Sequence, residues 1–183
     1  GCVSATCNIS AATVVAGLGS NNVVFTATND IAVNDAITWA TANSLTLSAG
    51  TGGSAGTITV NSAITATNAG AALYLNAGSS GSPGFGNGTV NLNALLSVAG
   101  GVNGVAPVNY VGVVNVTSAA SIQTALDIVQ DRGTVNVGAG TYNENLRITK
   151  SVTVVGNPSL SPPLLPPQSP YPTTQQPGAG AGA

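Results

Sequence analysis

Apolar and polar residues alternate in short bursts along most of this chain, and the bursts recur. Ile31-Ala-Val33-Asn-Asp-Ala-Ile37-Thr-Trp39 lies over Ile58-Thr-Val60-Asn-Ser-Ala-Ile64-Thr-Ala66 with its apolar positions coincident, an offset of 27 residues (31 to 58). Leu45-Thr-Leu47-Ser-Ala-Gly50 lies over Leu73-Tyr-Leu75-Asn-Ala-Gly78, an offset of 28 (45 to 73). A third copy runs Val90-Asn-Leu92-Asn-Ala-Leu95-Leu96-Ser-Val98-Ala-Gly100, displaced further because Ser79 to Gly88 reads as an inserted loop. Period-two alternation bounded by Gly, Asn and Ser predicts short, half-buried strands. The apolar spacings of three and four that a helical solenoid requires are absent from these units. A propeller blade takes about 40 residues. A period near 27 therefore predicts an all-β chain folded as a parallel β-helix, in which every strand pairs with its equivalent one coil above and below. Inward Val, Ile and Leu then stack in columns, and turn asparagines form ladders. At roughly 27 residues per coil, the chain up to residue 157 makes about six coils, a rod of about 30 Å.

One segment follows a different pattern. Ser121 to Asp131 places Ile122, Ala125, Leu126 and Val129 on one face, with Ser118 or Ser121 to cap its start and Gly133 to end it. It predicts the one short helix of the chain. Thr134–Val137, Leu146–Ile148 and Val152–Gly156 follow as further strands. A solenoid end exposes apolar cross-section and unpaired strand edges, so the helix is expected to cover an end, to pack laterally or to bridge two sections. From Pro158 the composition changes to Pro162, Pro163, Pro166, Pro167, Pro170, Pro172 and Pro177, then to Gly-Ala repeats ending at Ala183. The expected organisation is a parallel β-helix over residues 1–157 and a Pro-rich and Gly-Ala tail over 158–183. Within the first part, repeat coils cover about 7–117, the helix about 121–131 and a further coil 134–157. Leu160, Leu164, Leu165 and Tyr171 are candidate anchors of the tail, which docks on a neighbouring rod or lies on its own. Polyproline segments are pre-ordered, so such docking costs little entropy.

Composition narrows the function. Only 4% of the 183 residues are charged, against about 25% in an ordinary soluble domain. The 43% apolar content excludes the disordered class. No window approaches the roughly 20 continuous apolar residues of a spanning helix. Arg132, Arg147 and Lys150 are the only cations, too few to meet nucleic-acid phosphates. A surface so poor in charge belongs to a larger body or associates with copies of itself, so a homo-oligomer or filament formed through the solenoid ends and the tail is expected. The chain begins at Gly1, as a processed chain or a fragment would. Cys2 and Cys7 are the only cysteines. A local disulfide between them is the leading reading in a secreted chain. Inter-subunit pairing and a lipid anchor on Cys2 are its rivals. With no His and no further Cys, no metal site is expected.

Two stretches resemble known families. Asn29-Asp30-Ile31-Ala32-Val33-Asn34-Asp35-Ala36-Ile37-Thr38-Trp39, then Ser44 to Gly50, with the second copy Ile58 to Gly78, resemble the repeats of bacterial filamentous-haemagglutinin-like exoproteins over about residues 7–100. That resemblance implies a right-handed parallel β-helix, the shaft of a large secreted adhesin. Gly140-Thr141-Tyr142-Asn143-Glu144-Asn145-Leu146-Arg147-Ile148, within about 121–157, resembles the first coil of pectin-methylesterase-like, pectin-lyase-fold proteins. In those esterases the catalytic carboxylates come from later coils, which the turn to Pro158 replaces here.

Tyr142, Glu144, Arg147 and Lys150 are the tempting catalytic cluster. The plainer reading is a solvated turn in which Glu144 pairs with Arg147 or Lys150, each pair worth under about 1 kcal/mol. Polysaccharide lyases and esterases need gathered carboxylates, whereas Asp30, Asp35, Asp127, Asp131 and Glu144 are scattered. No catalytic residue, cofactor or metal is therefore assigned. Threonine pairs at 26/28, 57/59 and 65/67 do not recur at one position of every coil, as an ice-ordering face would require. Trp39, Tyr74 and Tyr110 are stacking candidates for cell-surface glycans, with core or turn packing as their plainer use. The expected function is an extracellular, non-catalytic structural element: the shaft of a secreted adhesin or the subunit of a surface filament or matrix fibre. The alternative is a carbohydrate-active or glycan-binding protein of pectin-lyase fold.

Overall fold

The computed structural model describes residues 7–51, 55–78, 88–103 and 111–156. These hold α1 (Ala11–Leu18), β1 (Val23–Thr26), β2 (Ile31–Val33), β3 (Ile37–Trp39), β4 (Ser44–Ala49), β5 (Thr57–Val60), β6 (Ile64–Ala66) and β7 (Ala72–Ala77). They continue with β8 (Gly88–Leu92), β9 (Leu96–Val98), β10 (Val102–Asn103), β11 (Val111–Val116), α2 (Ile122–Ile128), β12 (Thr134–Val137) and β13 (Thr153–Gly156). The fold is mostly β, with three parallel sheets and two helices. Sheet A has the order β1-β4-β7-β10, sheet B the order β13-β12-β11-β8-β5-β2, and sheet C the order β3-β6-β9. Up to β11 the chain visits the sheets in strict rotation, A then B then C. Parallel neighbours require exactly this kind of crossover connection.

The register is the one the repeat predicts. Ile31 pairs with Ile58 and Val33 with Val60. Ile37 pairs with Ile64, and Leu45 and Leu47 pair with Leu73 and Leu75. The third copy joins through Val90 on Ile58, Leu92 on Val60 and Leu96 on Ile64. Along β4, β5 and β7 buried and half-buried positions alternate without a break. Alternation puts one face of each sheet into a single shared core. Its longest column runs Ile58, Val90, Val114 and Val135, all fully buried. Gly50 and Gly78, equivalent in the repeat, close β4 and β7 with φ of 76° and 127°, a region that disfavours any side chain.

Three expectations are corrected. There are two helices among the described residues, not one: Ala11–Leu18, inside the span expected to be coil, is α1. Ser10 caps it by accepting from the Thr13 backbone N–H at 3.2 Å. Val14 and Leu18, four apart on one helix face, are buried. The second helix stops at Ile128, short of Asp131, because Val129 is already extended. The Gln130 N–H bonds to the Val111 carbonyl at 2.9 Å, and Arg132 turns the chain with φ 63°. Finally, Leu146–Ile148 forms no strand; the segment between β12 and β13 lies against α2 instead. Residues 1–6, 52–54, 79–87, 104–110 and 157–183 lie outside the described residues, and with them Cys2 and the candidate anchors Leu160, Leu164, Leu165 and Tyr171.

Candidate functional site

Glu144 and Lys150 flank α2, and their side chains bond mostly to its backbone. Ser121 caps the helix, accepting from the Thr124 N–H at 3.2 Å. Glu144 reaches the same helix start. Its Oε1 accepts from the Ile122 N–H at 2.9 Å, and its Oε2 accepts from the Gln123 N–H at 2.9 Å and the Ser121 hydroxyl at 2.8 Å. A carboxylate satisfies the orphan N–H groups of a helix start and complements its dipole. Burial works to raise the Glu144 pKa, but the bonds from Gln123, Ile122 and Ser121 together outweigh it and hold the group below the usual glutamate range.

Lys150 does the reverse at the other end. Its Nζ donates to the carbonyls of Asp127 at 2.9 Å and Val129 at 2.7 Å. Burial lowers its pKa, against the pull of Asp127 and Asp131. Between the two ends, the Gln123 side chain accepts from the Arg147 N–H at 2.8 Å and donates to the Arg147 carbonyl at 3.3 Å. Residues 144–150 thus run alongside α2 in the same direction, with Glu144 and Arg147 bonded at its first turn and Lys150 at its end. The Tyr142 hydroxyl donates to the Gly138 carbonyl at 3.0 Å. Burial, then the nearby Glu144 charge, raises its pKa. Glu144 makes no pair with Arg147 or Lys150, contrary to the solvated-turn reading. The cluster is a strap.

Two other carboxylates also accept from backbone. Asp30 accepts from the Thr57 N–H at 2.8 Å, and Asp131 from the Ser151 N–H at 3.0 Å. Asp127 accepts from the Gln123 amide at 2.9 Å. No group of three or more His, Cys, Asp or Glu able to hold a metal occurs among the described residues. Cys7 is disulfide-bonded. Trp39 is buried in the core and donates its Nε1–H to the Asn43 carbonyl at 2.9 Å, so it has no free face for a sugar. Tyr74 stands half-exposed on the outer side of sheet A, and Tyr110 lies outside the described residues.

The outward side of sheet B carries the most regular polar array. Asn136 donates to Asn115 at 2.9 Å, Asn115 to Asn91 at 2.7 Å, and Asn91 to the Thr59 hydroxyl at 3.2 Å. A second ladder, at the turn after the strands, runs Asn93 to Asn61 at 2.9 Å and Asn61 to Asn34 at 2.8 Å. Beside the first ladder, Thr57, Thr89, Val113, Thr134 and Thr153 share one column. This threonine column was missed because the offset between equivalent residues falls from 32 to 24 and then 21 along the sheet. The signal that reveals it is local: Thr89-Val90-Asn91-Leu92, Val113-Val114-Asn115-Val116 and Thr134-Val135-Asn136-Val137. A shallow concavity opens on this sheet, lined by Asn115, Thr117, Asn136, Val137, Val155 and Gly156 among others.

No helix among the described residues is long and apolar enough to cross a membrane. Compared with protein-family models, curated proteins and solved structures, the chain matches none.

Proposed function

We propose that the three parallel stacks are the faces of a right-handed β-solenoid, and that the chain is an extracellular structural element, the shaft of a secreted adhesin or surface fibre, without catalysis. One observation carries this reading: four of the charged side chains, Glu144, Asp30, Asp131 and Lys150, bond to backbone groups of the stack. Glu144, Asp30 and Asp131 accept from backbone N–H groups, and Lys150 donates only to carbonyls. A catalytic carboxylate needs an oxygen free to reach substrate within hydrogen-bond distance. The strict A-B-C rotation and the two asparagine ladders support a repeated, one-dimensional body.

Growth of a filament by stacking rod on rod would need both ends open, and α1 already covers the first strands of sheets A and C. This favours the shaft over the end-to-end filament. Fractionation of producing cells, with immunogold labelling, tests the reading. Label on the cell surface or in the medium is expected; a chain confined to the cytoplasm overturns it.

A second reading rests on the outward face of sheet B. Uncharged threonine and asparagine columns repeat there at the strand spacing, about 4.8 Å, and suit a neutral polyhydroxylated ligand. Pull-down on insoluble polysaccharides with Asn115→Ala and Thr134→Ala as controls separates this glycan-binding role from a plain shaft.

A further inference from the structure

Thr57, Thr89, Val113, Thr134 and Thr153 stand on five consecutive strands of sheet B, all on its outward side. Two residues further along each strand comes a second outward column: Thr59, the three asparagines of the ladder, and Val155. One core-facing residue separates the two columns on every strand. No side chain of this array is charged or aromatic, and none is buried. Among the described residues the other two sheets carry no match for it. The outward column of sheet A passes from Thr46 to Tyr74, and that of sheet C holds only Thr38, Thr65 and Ser97.

The array is a grid with two fixed repeats, about 4.8 Å from strand to strand and about 6.7 Å between the columns along each strand. Both are close to the repeats of the prism face of hexagonal ice. The grid is also rigid. Asn136, Asn115 and Asn91 bond to one another at 2.9 and 2.7 Å, and threonine and valine are stiff at χ1. Each of these asparagines spends one amide hydrogen on the ladder and keeps the other for water. The hydroxyls of Thr57, Thr89, Thr134 and Thr153 bond to no group among the described residues. Water over this face therefore meets donors and acceptors at lattice positions, seated between threonine methyls. Val113 has the shape of threonine and keeps the methyls while losing one hydroxyl. No charged group with a tight hydration shell of its own interrupts the grid. A sugar ring is held differently, by an aromatic face and by polar groups that converge on it. Here the polar groups run parallel, and the shallow concavity takes in only Asn115, Asn136 and Val155 of the array.

We propose that the outward face of sheet B is an ice-binding face, whose ligand is the ice lattice taken up through water ordered on the threonine and asparagine columns. Protein adsorbed there pins an advancing ice front, so growth halts until further cooling while the melting point is unchanged. The threonine pairs at 26/28, 57/59 and 65/67 argued against such a face because they do not recur in sequence. Of these, only 57/59 lies on sheet B, and strand register rather than period sets its partners. The proposal goes beyond the shaft reading, and it competes with the glycan reading for the same face.

The test compares full-length protein with Thr89→Tyr and Thr134→Tyr, which raise bulk out of the grid, and with Thr65→Tyr on sheet C. The gap between freezing and melting points, the shape of a growing ice crystal, and partition of the protein into a slowly grown ice ball are measured on each. Circular dichroism melts establish that each variant is folded, and Thr89→Ala with Thr134→Ala replaces the bulky pair if either fails to fold. Wild type and Thr65→Tyr should open a freezing gap, facet the crystal and enter the ice. The sheet B variants should lose all three while remaining folded. A wild-type chain that leaves ice growth unchanged overturns the proposal, and so does an equal freezing gap in the sheet B and sheet C variants. Binding of insoluble polysaccharide through these threonines, with no effect on ice, overturns it as well and leaves the glycan reading standing.

Discussion

Both ends of the described stack terminate the same kind of core, but one is closed by a helix, and at the other no described residue covers the column. At the first end Leu18 is fully buried and its carbonyl is bonded to Thr41 and Asn43. At the second, Val154 continues a buried column into the open. A parallel stack has no intrinsic stopping point, because each strand pairs as well with the next as with the last. Termination has to come from a segment that breaks the repeat. At the first end α1 breaks it with a 3.6-residue period. In the middle, sheet B continues past α2 and its strap, whereas among the described residues sheets A and C gain no strand after β10 and β9.

The contrast between interior and ends sets the largest expected effect. Leu75→Asp or Val60→Asp puts a lone charge into fully buried positions and should cost several kcal/mol, enough to abolish cooperative unfolding. Circular dichroism with urea titration reads this, and a stable Leu75→Asp protein would show the register to be wrong.

Next come the ends themselves. Leu18→Ala should destabilise by about 2–5 kcal/mol. Val154→Ala in a chain ending at Asn157 should cost under about 1 kcal/mol, since much of that side chain is already exposed. Similar losses at the two positions would erase the asymmetry.

Glu144→Gln removes the charge that holds the strap on α2 and should cost about 1–2 kcal/mol. The pH dependence follows from the direction of its shift. A carboxyl whose folded pKa is depressed contributes its full stabilisation above the unfolded value, about 4.3, and loses it as pH falls through the lower folded value. Wild-type stability should therefore drop on acidification through that window, and the Glu144→Gln protein should drop less.

The smallest effect lies within the ladder. Asn115→Ala severs the bonds to Asn91 and Asn136. Each is half-buried and open to replacement by water, so a loss of about 1 kcal/mol is expected from thermal unfolding.

The repeat body was readable because its period is nearly constant where it was read. Ile31 on Ile58 and Leu45 on Leu73 are sequence alignments and strand pairs at once. Beyond β8 the offsets contract and strict periodicity stops being a guide, so the threonine column and the longest ladder escaped. The helix α1 escaped for another reason. Eight residues of Ala, Thr, Val, Gly and Leu carry no charge and only two buried positions, and only the Ser10 cap marks it. The strap was hidden because Glu144 and the helix start lie 21 to 23 residues apart. Local pattern pairs a glutamate with its nearest cation, whereas the fold brings it a helix end.

On the proposed function, these polar groups hold a scaffold rather than turn over a substrate. The most direct test measures polysaccharide turnover and melting temperature together, for wild-type protein and Glu144→Gln. The account predicts no turnover by either protein on pectin and other polysaccharides, and a lower melting temperature for the variant. Turnover by the wild type that vanishes in Glu144→Gln while the melting temperature stays unchanged would contradict it.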